Sequence, residues 1–276
     1  MTKGRRLTTI TFAALAVLEL LAGTVTRAEA AQCGSTAAGF EAWKKQFADE
    51  ARGRGVSAST AASLMAANYS TATLAADRGQ RSFGLSLDQF LAKRGGATIA
   101  ARGRALKQSQ AALFASIQQR YGVPPGPLIA IWGMETAFGR ERGNQNTLSA
   151  VATLAYDCRR PAFFTDQLNA VLTLIDHGRL SAGTRGSMHG EIGQTQFLPK
   201  NILNYGTGGN LDVAANALNS TANFLKAHGW RAGAGYQPGE ANFAALQAWN
   251  AAPVYQRAIA IVGRQIDGGE STSVRR

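Results

Sequence analysis

Ten stretches of this chain carry the apolar rhythm that a helix needs, and almost none shows the strict alternation of a half-buried strand. They cover about 37–52, 57–67, 85–93, 97–121, 126–138, 147–157, 161–178, 212–228, 240–249 and 253–265. Ala, Leu, Gln and Arg dominate them, and only seven prolines occur in 276 residues, so helix interiors are rarely interrupted. An all-α fold with few or no strands is expected.

The breaks carry further information. Tyr121-Gly122-Val123-Pro124-Pro125-Gly126-Pro127 closes one helix and opens the next, because proline is excluded from a helix interior but suits its first turn. Gly178 to Gly193 is too glycine-rich for a regular helix and reads as a surface loop leading to Gln196; Gly206 to Gly209 reads as a second loop. Neither an internal repeat nor a low-complexity linker divides the chain. One domain over 31–266 is expected, followed by a disordered polar tail over 267–276.

At the N-terminus, Lys3, Arg5 and Arg6 precede a mostly apolar run from Ile10 to Val25, and Ala28, Ala30 and Ala31 follow. This is the layout of a secretory signal peptide over 1–30, with Glu19 an unusual acid within its apolar core. The run is shorter than the roughly 20 apolar residues of a spanning helix, so stable membrane insertion is not expected. Cys33 also lacks the usual Leu-x-small residues before a lipidated cysteine. Residues 1–30 hold four basic and two acidic side chains, so their removal takes the formal net charge from +12 to +10.

A strongly basic exported protein suits a polyanionic wall better than nucleic acid, though a basic proteome would give the same charge without meaning. Two cysteines, Cys33 and Cys158, read as one disulfide in an oxidising compartment. His177, His189 and His228 are too scattered to add a structural zinc site. No metal and no cofactor is expected.

Acids are scarce, so an acid in apolar company stands out. Helical spacing places Leu128, Ile131, Trp132, Glu135 and Phe138 on one stripe. Burial without a cation raises a carboxyl pKa and lets a Glu act as a general acid near neutrality; a Glu135 paired with Arg159 or Arg160 would instead be structural. In Gly186 to Pro199, Ser187, Gln194 and Gln196 offer neutral hydrogen bonds of the kind sugars accept. Glu191 is either the partner that a two-carboxylate hydrolase needs or a solvated side chain. Trp249-Asn250 with Tyr255 is either a sugar platform or a pair of core aromatics beside an amide.

These residues resemble the soluble lytic murein transglycosylases of the MltB type, in the lysozyme-like superfamily (glycoside hydrolase family 103). The resemblance runs from about Phe40 to Tyr255. It is carried by Tyr121 to Pro124, Ala130 to Thr136 with Phe138-Gly139, Ala152 to Ala155 with Arg159-Arg160, Gly193 to Phe197 with Pro199, and Ala222-Asn223-Phe224 with Gly229-Trp230. It implies a lysozyme-like helical core with a groove, a monomeric periplasmic enzyme, and glycan strands of peptidoglycan as partner. It further implies Glu135 as sole acid/base, cleaving between N-acetylmuramic acid and N-acetylglucosamine without water to leave a 1,6-anhydromuramoyl end. Ser187, Gln196, Asn250 and Tyr255 match family active-site positions, and Arg159-Arg160 match a pair thought to meet the stem peptide.

Where many relatives carry a calcium-binding Asp-x-Asp-Gly-Asp-Gly loop, this chain has Tyr205 to Asp212 with one acid, which predicts no calcium. Phe224 replaces the usual Tyr near the saccharide, and Met188-His189 replace an aromatic-Ala pair. A lysozyme-type hydrolase and a wall-binding protein with weakened catalysis are the competing readings.

Overall fold

The computed structural model describes residues 31–79 and 84–268, so the signal-peptide reading and the tail beyond Gly268 lie outside the described residues. Among the described residues thirteen α-helices follow one another: α1 (Phe40–Gly53), α2 (Ala58–Ser63), α3 (Thr71–Arg78), α4 (Leu87–Arg94), α5 (Gly96–Ser109), α6 (Ala111–Tyr121) and α7 (Pro125–Thr136), then α8 (Thr147–Tyr156), α9 (Pro161–Asp176), α10 (Pro199–Tyr205), α11 (Ala214–Ala227), α12 (Phe243–Trp249) and α13 (Pro253–Asp267). Two short strands, β1 (Gln145–Asn146) and β2 (Arg185–Gly186), pair antiparallel with Gln145 opposite Gly186. The expected α-dominated class is the one observed.

Four local readings change. The expected helix over 97–121 is two helices, because Gln110 (φ −115°, ψ 30°) leaves helical geometry; α5 packs on α7 and α13, whereas α6 packs on α11. Helices α3 and α10 were both overlooked. Each has a start signal, the Ser70 hydroxyl accepting from Thr73 N at 3.1 Å and Pro199 at the first turn of α10. Finally, Asp267 closes α13 rather than opening a tail. Its carboxylate accepts from Gly126 N at 2.9 Å and from the Tyr236 hydroxyl at 2.8 Å.

Two cores result. One gathers the apolar faces of α1, α2, α8 and α9 around Phe40, Trp43, Phe47, Leu154 and Leu168. The other surrounds α7 with α5, α6, α11, α12 and α13. Helix α7 is buried at every residue from Pro125 to Met134, as expected of a helix that is apolar all round. It meets α13 so closely that a Cβ on Gly126 would lie 2.2 Å from Gly263 O. The disulfide joins Cys33 to Cys158 with Cα atoms 5.0 Å apart, and Gly34 N donates to Tyr156 O at 2.8 Å beside it. Closing a loop of 125 residues removes conformations chiefly from the unfolded chain.

Candidate active site

Because α7 is enclosed, its stripe of Leu128, Ile131 and Trp132 is not a distinguishing face. What sets Glu135 apart is its place at the C-terminal end, where the helix leaves the core. Thr136 ends α7, and Ala137 (φ 48°) and Phe138 (φ 61°) follow in left-handed conformations, so Phe138 departs from the expected stripe. Side chains that cost strain to place in this way persist where their surroundings over-determine them. Here Thr136 Oγ1 donates to Gln194 O at 2.6 Å and accepts from Gly139 N at 2.9 Å.

Glu135 is reached from the C-terminal helices by two neutral donors. The Tyr255 hydroxyl, from α13, donates to its Oε1 at 2.7 Å, and Trp249 Nε1, at the end of α12, donates to the same oxygen at 3.3 Å. Burial, and after it the nearby Glu191 carboxylate, hold its pKa up at about 7 against the opposing pull of Tyr255, Trp249 and Arg94. Arg159 and Arg160 do not pair with it. They close instead on Asp77 of α3, each guanidinium donating to a different carboxylate oxygen. The structural reading of Glu135 as their partner is thereby set aside.

The glycine-rich loop faces this carboxyl through Glu191. Ser187 Oγ donates to Glu191 Oε2 at 3.0 Å and accepts from the main-chain amides of His189 and Glu191, each at 3.1 Å. Burial raises the Glu191 pKa, with His189 and the Ser187 bond pulling the other way. His189 Nε2 lies 3.8 Å from Asp77 Oδ1, so one chain of polar groups runs from Asp77 to Glu191.

The remaining candidates divide into two kinds. Gln194 is buried and spent on the scaffold: its Oε1 accepts from Trp132 Nε1 at 2.7 Å and its Nε2 donates to Asp212 O at 2.8 Å. Phe224 is also buried, stacked on His228 with centroids 4.0 Å apart and edge-on to Trp249 at 5.2 Å, so it supports Trp249 from beneath. Asn250 holds the start of α13, its Oδ1 accepting from Ala252 N at 2.9 Å. Gln196 is half-buried with φ 54°, and its Nε2 donates to Gly193 O at 2.9 Å. Glu135 lines a cleft of about 720 Å³ together with Lys93, Arg94, Arg102, Arg140 and Glu141. Sequence reasoning missed these cations, since Lys93-Arg94 before Gly95 reads only as the end of a helix.

A family model described as "Transglycosylase SLT domain" matches residues 39–240. The chain belongs to this transglycosylase family. The membrane-bound lytic murein transglycosylase B of Escherichia coli (strain K12) is 38% identical over 120 residues, a match taking in 41% of this chain and 33% of that protein. The chain thus matches about a third of that relative's length. Among solved structures, SltB3 from Pseudomonas aeruginosa, in complex with NAG-NAM-pentapeptide, superposes with a TM-score of 0.76 at 27% identity, covering 83% of this chain and 80% of that one. The E. coli lytic transglycosylase Slt35, in complex with calcium, gives a TM-score of 0.71 at 22% identity over 86% of this chain and 96% of its own, a likeness of fold.

In this member of the family, the loop from Tyr205 to Asp212 does not fit calcium. Its one carboxylate, Asp212, pairs with Arg142 at 3.1 Å, and Arg179 Nη2 donates to Ile202 O at 3.2 Å beside the loop. Asn216 and Ser220 fasten it further, to Asn210 O at 3.0 Å and from Thr207 N at 3.1 Å. A guanidinium and neutral side chains hold the turn without the several anionic oxygens that calcium requires.

Proposed function

We propose that this chain is an exported lytic murein transglycosylase acting on the glycan strands of peptidoglycan, with Glu135 as its single acid and base. The observation that carries the reading is one carboxyl, with a pKa near 7, opening on a cleft and held by two neutral donors on the same oxygen. Such a group is protonated often enough to act as an acid and ionised often enough to act as a base. Glu135 protonates the glycosidic oxygen as the bond from the muramoyl C1 breaks. It then takes the proton from the muramoyl 6-hydroxyl as that oxygen bonds to C1, and the 1,6-anhydro ring closes without water. Tyr255 and Trp249 donate to the carboxylate between the two transfers. The substrate acetamido group serves the cationic centre in place of a second carboxylate.

Ser187, Gln196, Asn250 and Trp249 serve as sugar contacts, and the exposed edges of Arg159 and Arg160, their charge already met by Asp77, donate to main-chain carbonyls of the stem peptide. Gln194 and Phe224 have scaffold roles instead. Among the described residues no helix is long and apolar enough to cross a membrane, and the disulfide suits an oxidising, periplasmic compartment.

The closeness of Glu191 favours one competing reading, a two-carboxylate hydrolase. Digestion of purified sacculi separates the two, with product masses as the readout. Anhydro ends are expected, whereas reducing ends would assign the reaction to hydrolysis.

A further inference from the structure

The cleft beside Glu135 has a basic wall that no step of this mechanism uses. Lys93 and Arg94 come from the end of α4, Arg102 from α5 and Arg140 from the turn after α7; Glu135 and Glu141 are the only acids among the lining residues. The three arginines are held in place from behind. Arg94 Nη1 donates to Met134 O at 3.3 Å, Arg140 Nε donates to Ala137 O at 3.2 Å, and the Arg102 guanidinium sits 4.8 Å from the Phe138 ring centroid. Met134 and Ala137 belong to the C-terminal end of α7, whose unpaired carbonyls attract cations. A guanidinium has five N–H donors, so these single bonds leave most of each fork for something else. Among the described residues, Arg94, Arg102 and Arg140 have no carboxylate within ion-pair distance, in contrast to Arg159 and Arg160, which Asp77 holds.

We propose that this wall is an anion subsite that takes a carboxylate covalently attached to the glycan beside the bond being cleaved. The inference rests on the glycan reading above, because the cleft runs up to Glu135 and whatever fills it is continuous with the reacting sugar. A chain of neutral sugars needs no such wall. The carboxylate has two sources in this polymer, the stem peptide or the muramoyl lactyl group once the peptide is gone, and the stem peptide is favoured because it reaches farther from the ring. Guanidiniums flattened on a ring or tied at one edge are preorganised for carboxylate forks.

The test is a binding titration in the Glu135→Gln background, which stops turnover. The probes are the N-acetylglucosaminyl-N-acetylmuramoyl-pentapeptide fragment, the same fragment with its peptide carboxyls converted to amides, and the peptide-free disaccharide with a free lactyl carboxylate. The native fragment is expected to bind about tenfold tighter than its amide form, and Arg102→Gln with Arg140→Gln to erase most of that preference. Arg102→Gln alone guards against misfolding, since Arg102 makes no hydrogen bond to the α7 carbonyls, and it should erase part of the preference. The preference should also weaken as salt rises. Arginine dependence for the peptide-free disaccharide alone would keep the subsite and make the lactyl group its ligand. A preference that survives both substitutions, or no preference at all, overturns the subsite while leaving the glycan reading intact. If none of the three fragments binds, the glycan reading falls and the subsite with it.

Discussion

Glu135 and Asp77 are two acids in buried settings, and their surroundings are opposite. Asp77 is 2% exposed and meets three cationic or cationisable side chains: Arg159, Arg160 and His189. Glu135 meets a phenol and an indole, with Glu191 nearby to disfavour its charge. Burial beside guanidiniums makes an ion-pair cluster that ties α3 to the start of α9. Burial beside neutral donors makes a carboxyl that can gain or lose a proton near neutrality. The partner, more than the burial, decides whether an acid holds structure or carries protons.

The sharpest test of this contrast is activity. Glu135→Gln should lower the rate on sacculi by about 10²- to 10⁴-fold, the span of general acid-base catalysis, while Asp77→Asn keeps most of it. Equal losses would erase the distinction. Stability should respond the other way. Asp77→Ala is expected to cost about 2–3 kcal/mol in urea denaturation, less than a fully buried broken pair because both arginines remain half-exposed and screened by solvent.

For Glu135 the sign reverses. Its folded pKa of about 7 lies above the ordinary carboxyl value of 4.5, so between those values the native state binds more protons than the unfolded one and stability falls as pH rises. Glu135→Gln should therefore stabilise the protein by about 1–2 kcal/mol at pH 8 and by almost nothing at pH 4, read from melts at both pH values. A destabilised variant at pH 8 would mean that Glu135 has a hidden cationic partner.

The smallest effects are shifts of the alkaline limb of the rate profile, where Glu135 loses its proton. Glu191→Gln removes a like charge and should move that limb to lower pH. Tyr255→Phe removes a donor to the carboxylate and should move it to higher pH. Shifts in the same direction would contradict the electrostatic account of the site.

Much of this was legible in the chain, though unevenly. The prolines from Pro124 to Pro127 start α7, and the spacing that follows puts an acid on a helix too apolar for the surface. Cys33 and Cys158 pair as their number suggested. By contrast, α3 was overlooked because eight residues with a weak apolar face carry little periodicity, and Asp77 went unnoticed with it. Gln194 looked like a sugar contact because an amide in a glycine-rich loop has no local sign of its partner; Trp132 lies 62 residues away along the chain. Phe224 looked like an altered sugar contact, and its burial under Trp249 depends on two helices meeting.

By itself the sequence determined the helical class, the helix boundaries set by proline and glycine, and the presence of an acid on an apolar helix, because these depend on residues within a few turns of one another. The tertiary structure alone decided what each charge faces: Tyr255 and Trp249 for Glu135, Asp77 for Arg159 and Arg160, and an open cleft for Arg102 and Arg140. Coulomb interactions and hydrogen bonds act over a few ångströms of space, whatever the separation along the chain. A carboxyl's role follows from neighbours that only the fold brings within reach.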